Sequence, residues 1–281
     1  MKEIHVDAIR DKVAELCIEA THVLPEDVRE GLRRAEATER SPLAKQVLVE
    51  LIDNFEFAER NLVPLCQDTG TTVVFIELGQ DVHVIGGSLE EAIHAGVAKG
   101  YTEGYLRASI VANPLTTRTN TGNNTPAVIH YEVVPGEELR IKVLPKGGGC
   151  ENMSRYANFL PRAGKDTVIE FLLRTVEESG GNPCPPLVIG VGIGGTAEYA
   201  MTLAKKAVTR GVGSHNPDPE VAALEAEMLE KVNALGVGPQ AVGGVNTALA
   251  VNVLTYPTHI TALPVGINIQ CHSARLKEAV L

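Results

Sequence analysis

Three of the five cysteines stand in glycine-, proline- and polar-rich sequence: Cys66 in LCQDTGTT, Cys184 in GGNPCPPLVIGVGIGG and Cys271 in PVGINIQCHSAR. A buried structural cysteine behaves as a small hydrophobe and usually sits in an apolar periodic stretch. These three adjoin turn-forming residues and groups that handle protons and anions, a setting that suggests ligation of an iron–sulfur cluster. Three thiolates rather than four would leave one iron of a [4Fe-4S] cube open to substrate. The cluster would then serve as a Lewis acid instead of an electron carrier. Cys17, by contrast, continues the face of Val6, Ile9, Val13 and Leu16 and is expected in the core.

Other chemistry-bearing residues surround these cysteines. Cys66-Gln67-Asp68-Thr69-Gly70 puts a thiol, an amide, a carboxylate and a hydroxyl just before a strand. It reads either as a turn whose polar side chains satisfy backbone amides or, if Cys66 binds iron, as the place where Asp68 acts as acid or base. Lys146-Gly147-Gly148-Gly149-Cys150 allows a concave nest of N–H groups for an anion beside a lysine, or a flexible turn. Spacing leaves Cys150 and Cys184 as rival ligands. The polar loop Asn120–Thr125 is a further candidate for the pocket wall.

Gly190-Val191-Gly192-Ile193-Gly194-Gly195 satisfies G-x-G-x-x-G between a strand and a helix, which allows an NAD-dependent oxidoreductase as an alternative. The following helix leads to another helix rather than a second parallel strand, so the acidic residue expected about 20 residues on is missing. Close helix–sheet packing is the preferred reading of that run. Arg107 reads as a cation late in a helix, favoured by the dipole, and His259 as the start of the strand that leads to Cys271. Local sequence alone gives neither a functional role.

The positioning elements follow from periodicity. The first 60 residues read as helices: one in VDAIRDKVAELCIEATHVL, one from Pro25, and one capped by Ser41 with Pro42 in its first turn. TTVVFIEL and VHVIGG read as a hairpin across Gly79-Gln80-Asp81, and AVIHYEVV and ELRIKVLP as a second across Pro135-Gly136-Glu137. Between them lies a helix capped by Ser88 with Glu91 completing the box; Asp166 is expected to cap a later one. LVIGVGIGG is a strand, TAEYAMTLAKKAV and PDPEVAALEAEMLEKVNALG are helices, and strands are expected over 248–254 and 260–270. One α/β domain of the mixed α+β kind over 1–281 is the simplest account, with a helical subregion to about residue 60, then a mixed sheet with helices around the cluster site.

The chain of 281 residues is long enough to bury a proper core. A charged N-terminus and the absence of a long apolar run predict a cytoplasmic protein with no membrane segment, where cysteines are ligands or thiols rather than disulfides. A net charge of −10 argues against nucleic-acid binding and means that an anionic substrate is held by local cations and amides.

CQDTGT, the NTGNNTPA loop, KGGG, CPP followed by IGVGIGGTAE, and the PxGINxQCHSAR ending occur in order from about residue 10 onward. Together they resemble the class I, iron–sulfur fumarate hydratases and L(+)-tartrate dehydratases, and specifically the α-type, cluster-bearing part. The resemblance implies Cys66, Cys184 and Cys271 as ligands of a [4Fe-4S] cluster, with Cys150 a neighbour that does not ligate. It implies Gln67 and Asp68 in the substrate pocket, Asp68 as acid/base, Arg107 on a substrate carboxylate, Gly148 offering an amide, and His259 touching substrate. The implied activity is reversible hydration of fumarate to L-malate, or dehydration of L(+)-tartrate to oxaloacetate. Because fused relatives carry further catalytic residues in a C-terminal domain, the resemblance also implies a β-type subunit that completes the site, in a higher oligomer. A cluster-binding scaffold without catalysis is the remaining alternative.

Overall fold

Residues 2–281 are described by a computed structural model. In chain order its elements are β1 (Lys2–His5), α1 (Val6–His22), α2 (Glu26–Thr38), α3 (Pro42–Asn61), β2 (Thr71–Gly79), β3 (Val82–Ile85), α4 (Leu89–Glu103), β4 (Val128–Val134), β5 (Leu139–Lys146), the single turn α5 (Gly148–Glu151), β6 (Arg155–Phe159), α6 (Gly164–Ser179), β7 (Leu187–Gly195), α7 (Ala197–Ala207), α8 (Pro219–Ala234), β8 (Ala248–Thr258), β9 (Leu263–Gln270) and β10 (Lys277–Val280). The α/β class expected from the sequence holds, with β1 a short addition before the N-terminal helices. Among the described residues no helix is long and apolar enough to cross a membrane.

The chain divides into two units. The first comprises the residues up to Pro25, Phe55–Gly148 and Arg275–Leu281; the second comprises Glu26–Asn54 and Gly149–Ala274. In the first unit α1 starts where the His5 ring accepts the Asp7 N–H at 3.2 Å, and α4 where the Ser88 hydroxyl accepts the Glu91 N–H at 3.4 Å. Ile9, Val13 and Cys17 of α1 join Ile93 and Val97 of α4 over Val74, Ile76, Ile141 and Val143 of the sheet. That sheet has the order β10-β5-β2-β4.

This order corrects both expected hairpins. β3 does not pair with β2; it lies parallel to β1. Nor do β4 and β5 pair with each other, because β2 inserts between them, parallel to β4 and antiparallel to β5. β2 is largely buried, so both of its edges need partners along their whole length. The four residues of β3 cannot supply that, whereas β4 and β5 can.

The second unit is built on the sheet β6-β9-β7-β8, with β7 parallel to β8 and antiparallel to β9. Leu187, Ile189, Val191, Val251, Ile267 and Ile269 pack with Leu172, Val176, Met228 and Val232 from the helices. Asp166 does not cap α6: the helix begins at Gly164 without a side-chain cap, and Asp166 falls in its first turn. Its charge still suits the positive end of the dipole there.

The glycine run is strand rather than loop. β7 continues through Gly195, and a Cβ on Gly190 or Gly192 would overlap the carbonyl oxygens of Ala204 and Ala200 in α7. The first two glycines of the run therefore let a helix backbone lie directly on the strand, as the packing reading expects, instead of forming the turn that cradles a pyrophosphate. Gly192→Ala should lower stability by about 3 kcal/mol, because neither backbone can give way without breaking the sheet or the helix. A midpoint in thermal or urea unfolding equal to that of the wild-type chain would contradict this.

Candidate active site

In the first unit the site is organised around the segment before β2. One carboxylate oxygen of Asp68 accepts the Gly70 N–H at 3.1 Å and the other accepts the Gly148 N–H at 2.7 Å. The carboxylate is thus clamped by two main-chain donors, one from its own turn and one from the start of α5. Gly148 is spoken for in consequence: the amide that the glycine run offers to an anion is engaged by the chain's own carboxylate.

The backbone beneath Asp68 is held as firmly. Three consecutive carbonyl oxygens each receive a buried side chain from a different part of the unit. Arg275 Nη1 donates to Asp68 at 2.6 Å, the Tyr101 hydroxyl to Thr69 at 2.7 Å, and Asn124 Nδ2 to Gly70 at 3.0 Å. Burial pushes the Tyr101 hydroxyl well above its ordinary pKa, so it stays a donor. Asn124 adopts a left-handed backbone with φ +61°, a conformation that asparagine tolerates better than most residues. Its Oδ1 also accepts the Ser109 N–H at 2.8 Å.

Arg107 is attached to the same segment through its backbone, since the Thr69 hydroxyl donates to the Arg107 carbonyl at 2.6 Å. It does not lie in a helix as the sequence suggests. α4 ends at Glu103, Gly104 caps it, and Tyr105 turns with φ +52°, leaving Arg107 exposed outside any helix or strand. Gln67 and Cys66 are exposed beside Asp68. The first unit thus gathers Cys66, Gln67, Asp68, the Gly148 amide and the Arg107 main chain.

In the second unit Cys184 is exposed at a turn with φ +54°. Holding a non-glycine residue there costs about 1–3 kcal/mol, and such strain tends to collect at functional positions. The Cys184 carbonyl accepts the His272 N–H at 3.2 Å, and His272 Nδ1 lies 3.1 Å from the same oxygen. Gln240 braces the arrangement by donating to Pro185 at 3.0 Å while its amide lies 3.2 Å from His272 Nδ1. The segments carrying Cys184 and Cys271 are therefore neighbours.

Exposure sorts the five thiols. Cys66 and Cys184 are exposed and Cys271 is half-buried, while Cys17 and Cys150 are buried. Burial pushes the Cys17 thiol up to about 12, and the Cys150 thiol faces the Gln270 side-chain oxygen at 3.5 Å. Metal ligation needs a thiolate that can lose its proton and reach the metal. By that criterion Cys66 in the first unit, and Cys184 and Cys271 in the second, have thiols within reach of a ligand, and Cys17 and Cys150 do not. Among the described residues no group of three or more His, Cys, Asp or Glu side chains is gathered about one ion. A cluster differs in that its thiolates attach to separate irons.

His259 falls in the turn between β8 and β9, with β9 beginning only at Leu263, so it is not a strand residue as expected. Its Nδ1 is 2.8 Å from the Thr261 hydroxyl. It borders an open groove of about 460 Å³ with Tyr199 and Tyr256, whose rings meet edge to face at 4.7 Å. His259 and Cys271 stand at opposite ends of β9, about 25 Å apart at the usual rise per strand residue.

Tyr101 and Arg275 are the polar residues that sequence reasoning passed over, while Asn124 lies in the loop it offered as pocket wall but takes a different part, holding the Gly70 carbonyl. Arg275 carries a signal only as the end of QCHSAR, and Tyr101, inside α4, carries none.

Comparison with known proteins agrees with the motifs. Residues 10–280 match the family model described as Fumarate hydratase (Fumerase). The chain is 44% identical over 273 residues to a Methanocaldococcus jannaschii protein named "Putative L(+)-tartrate dehydratase subunit alpha", covering 95% of each chain. It is 30% identical over 277 residues to the L(+)-tartrate dehydratase subunit alpha of Escherichia coli strain UTI89, covering 98% of this chain and 91% of the relative. The corresponding protein of strain K12 is 29% identical over the same length. Matched along nearly its whole length, the chain belongs to the fumarate hydratase family of hydro-lyases.

Proposed function

We propose that the chain is the α-type subunit of an iron–sulfur hydro-lyase that interconverts fumarate and L-malate in the cytoplasm. The observation that carries the reading is the Asp68 carboxylate, clamped by two amides next to the exposed thiol of Cys66. Cys66, Cys184 and Cys271 would hold a [4Fe-4S] cluster, which when bound supplies a Lewis acid for the substrate's oxygens.

The chain's own residues supply the rest. Asp68 exchanges the proton at the carbon next to a substrate carboxylate, its oxygens oriented by the Gly70 and Gly148 amides. Those two hydrogen bonds fix the angle of approach without a contribution from substrate. The exposed Arg107 pairs with a carboxylate through two parallel hydrogen bonds, and the exposed Gln67, next to Asp68 in the chain, adds a neutral donor. A contact between His259 and the same substrate would be made by a second copy of the chain, since the length of β9 separates it from Cys271. That accords with a higher oligomer. A β-type subunit completes the pocket, a reading supported by the alpha-subunit names of the relatives.

A second reading, dehydration of L(+)-tartrate to oxaloacetate, is favoured by those same names. L-Malate and L(+)-tartrate differ by a hydroxyl, which a pocket built to hydrogen-bond it can discriminate strongly. Turnover of fumarate, malate and L(+)-tartrate should be compared on the anaerobically reconstituted α/β complex and on the α chain alone. Faster fumarate and malate turnover that requires the β-type subunit is expected. Preference for tartrate would replace the substrate, and full activity of the chain alone would remove the partner.

A further inference from the structure

Arg275 heads the fully buried side chains by size, at 1% exposed. Among the described residues its guanidinium makes one hydrogen bond, to the Asp68 carbonyl. Its Nε is buried without a partner, and among the described residues no carboxylate stands within ion-pair distance of it. Taking a cation out of water without a counter-ion is expensive. Holding a carbonyl does not require one: Tyr101 and Asn124 hold the next two with neutral donors. The charge is what distinguishes the donor under Asp68. The Tyr101 hydroxyl, raised first by burial, also feels Arg275 and Asp68 with opposite sign, so both charges act on one buried spot.

We propose that Arg275 is a positioning residue for Asp68. By fixing the Asp68–Thr69 peptide it keeps both carboxylate oxygens on the Gly70 and Gly148 amides, and its buried positive charge offsets the negative charge that accumulates when a dicarboxylate arrives beside Asp68. This rests on the reading of Asp68 as the acid/base group.

Two measurements on Arg275→Gln and Arg275→Lys test it, with Asp68→Asn alongside. The first is hydrogen exchange of the Gly70 and Gly148 amides in the cluster-free chain, which needs no activity. Exchange at both should accelerate in Arg275→Gln while amides of Val74, Ile76 and Ile141 in β2 and β5 stay protected, showing that the first unit remains folded. The second is kcat and KM of the reconstituted complex. Arg275→Gln should lower kcat about 100-fold, the usual cost of a small misplacement of a reacting group, with KM little changed. Arg275→Lys, which keeps the charge, should recover part of the loss.

Normal exchange and normal kcat in Arg275→Gln beside an inactive Asp68→Asn would overturn the role of Arg275 and leave that of Asp68 standing. A fully active Asp68→Asn would instead remove the acid/base reading, and the catalytic half of this proposal with it. Failure of Arg275→Lys to improve on Arg275→Gln would overturn the contribution of charge.

Discussion

Anaerobically prepared Cys66→Ala, Cys184→Ala and Cys271→Ala chains are expected to lose nearly all iron and acid-labile sulfide, whereas Cys17→Ala and Cys150→Ala retain them. With three thiolates available to a cube, each ligand is indispensable. The buried thiols have other work. Cys17 fills the contact between α1 and α4, so its replacement should cost about 1 kcal/mol of stability through lost packing and leave iron content alone. Cys150 sits under the second sheet with its thiol toward Gln270. Iron and sulfide analysis together with the visible absorbance of the cluster reads the series directly. Retention in Cys184→Ala with loss in Cys150→Ala would exchange the roles of those two residues.

The second large effect is on turnover without loss of cluster. Asp68→Asn should reduce kcat about 10²- to 10⁴-fold, the usual contribution of a positioned proton-transfer group, with iron at the wild-type level. Asparagine keeps the shape but has one acceptor atom where aspartate has two. Either the Gly70 or the Gly148 amide must then face an NH₂ group, so a modest loss of stability should accompany the kinetic one. Iron content separates the outcomes: a variant that loses its cluster would mean that Asp68 supports the ligands instead of moving a proton.

Sequence alone reveals those parts of the fold whose causes are local. The apolar spacing that puts Cys17 on the buried face of α1, and the Ser88 cap of α4, depend on neighbours within a turn or two of helix. Strand pairing does not. The turn at Gly79–Asp81 connects β2 to β3, yet their hydrogen-bond partners come from distant segments, and no short-range signal reports that β2 will insert between β4 and β5. β1, β6 and β10 are four or five residues long, too short for alternation to register. Arg107 and His259 were each misplaced by a few residues, at the two places where an element stops early or starts late.

The candidate site divides in the same way. Turn context singles out the cysteines, because thiols in glycine- and proline-rich turns are unusual, whereas Asp68 draws notice only as the neighbour of Cys66, since aspartate is a common turn residue. The frame under Asp68 was hidden because composition cannot tell a buried arginine or tyrosine from a solvated one. Burial is a property of the folded neighbourhood, and Tyr101, Asn124 and Arg275 acquire their meaning only there.

The discontinuity of the first unit has a consequence for biosynthesis. Its sheet takes β10, and the Asp68 carbonyl takes Arg275, from Arg275–Leu281, while the intervening Gly149–Ala274 builds the other unit. On the ribosome, residues 2–148 emerge with one edge of β5 unpaired and the peptide of Asp68 unanchored, and they remain so until that whole stretch has been translated. A nascent chain stalled before residue 275 therefore presents a bare strand edge, the kind of surface that recruits wrong partners. Arg275–Leu281 act as a latch on segments made well before them.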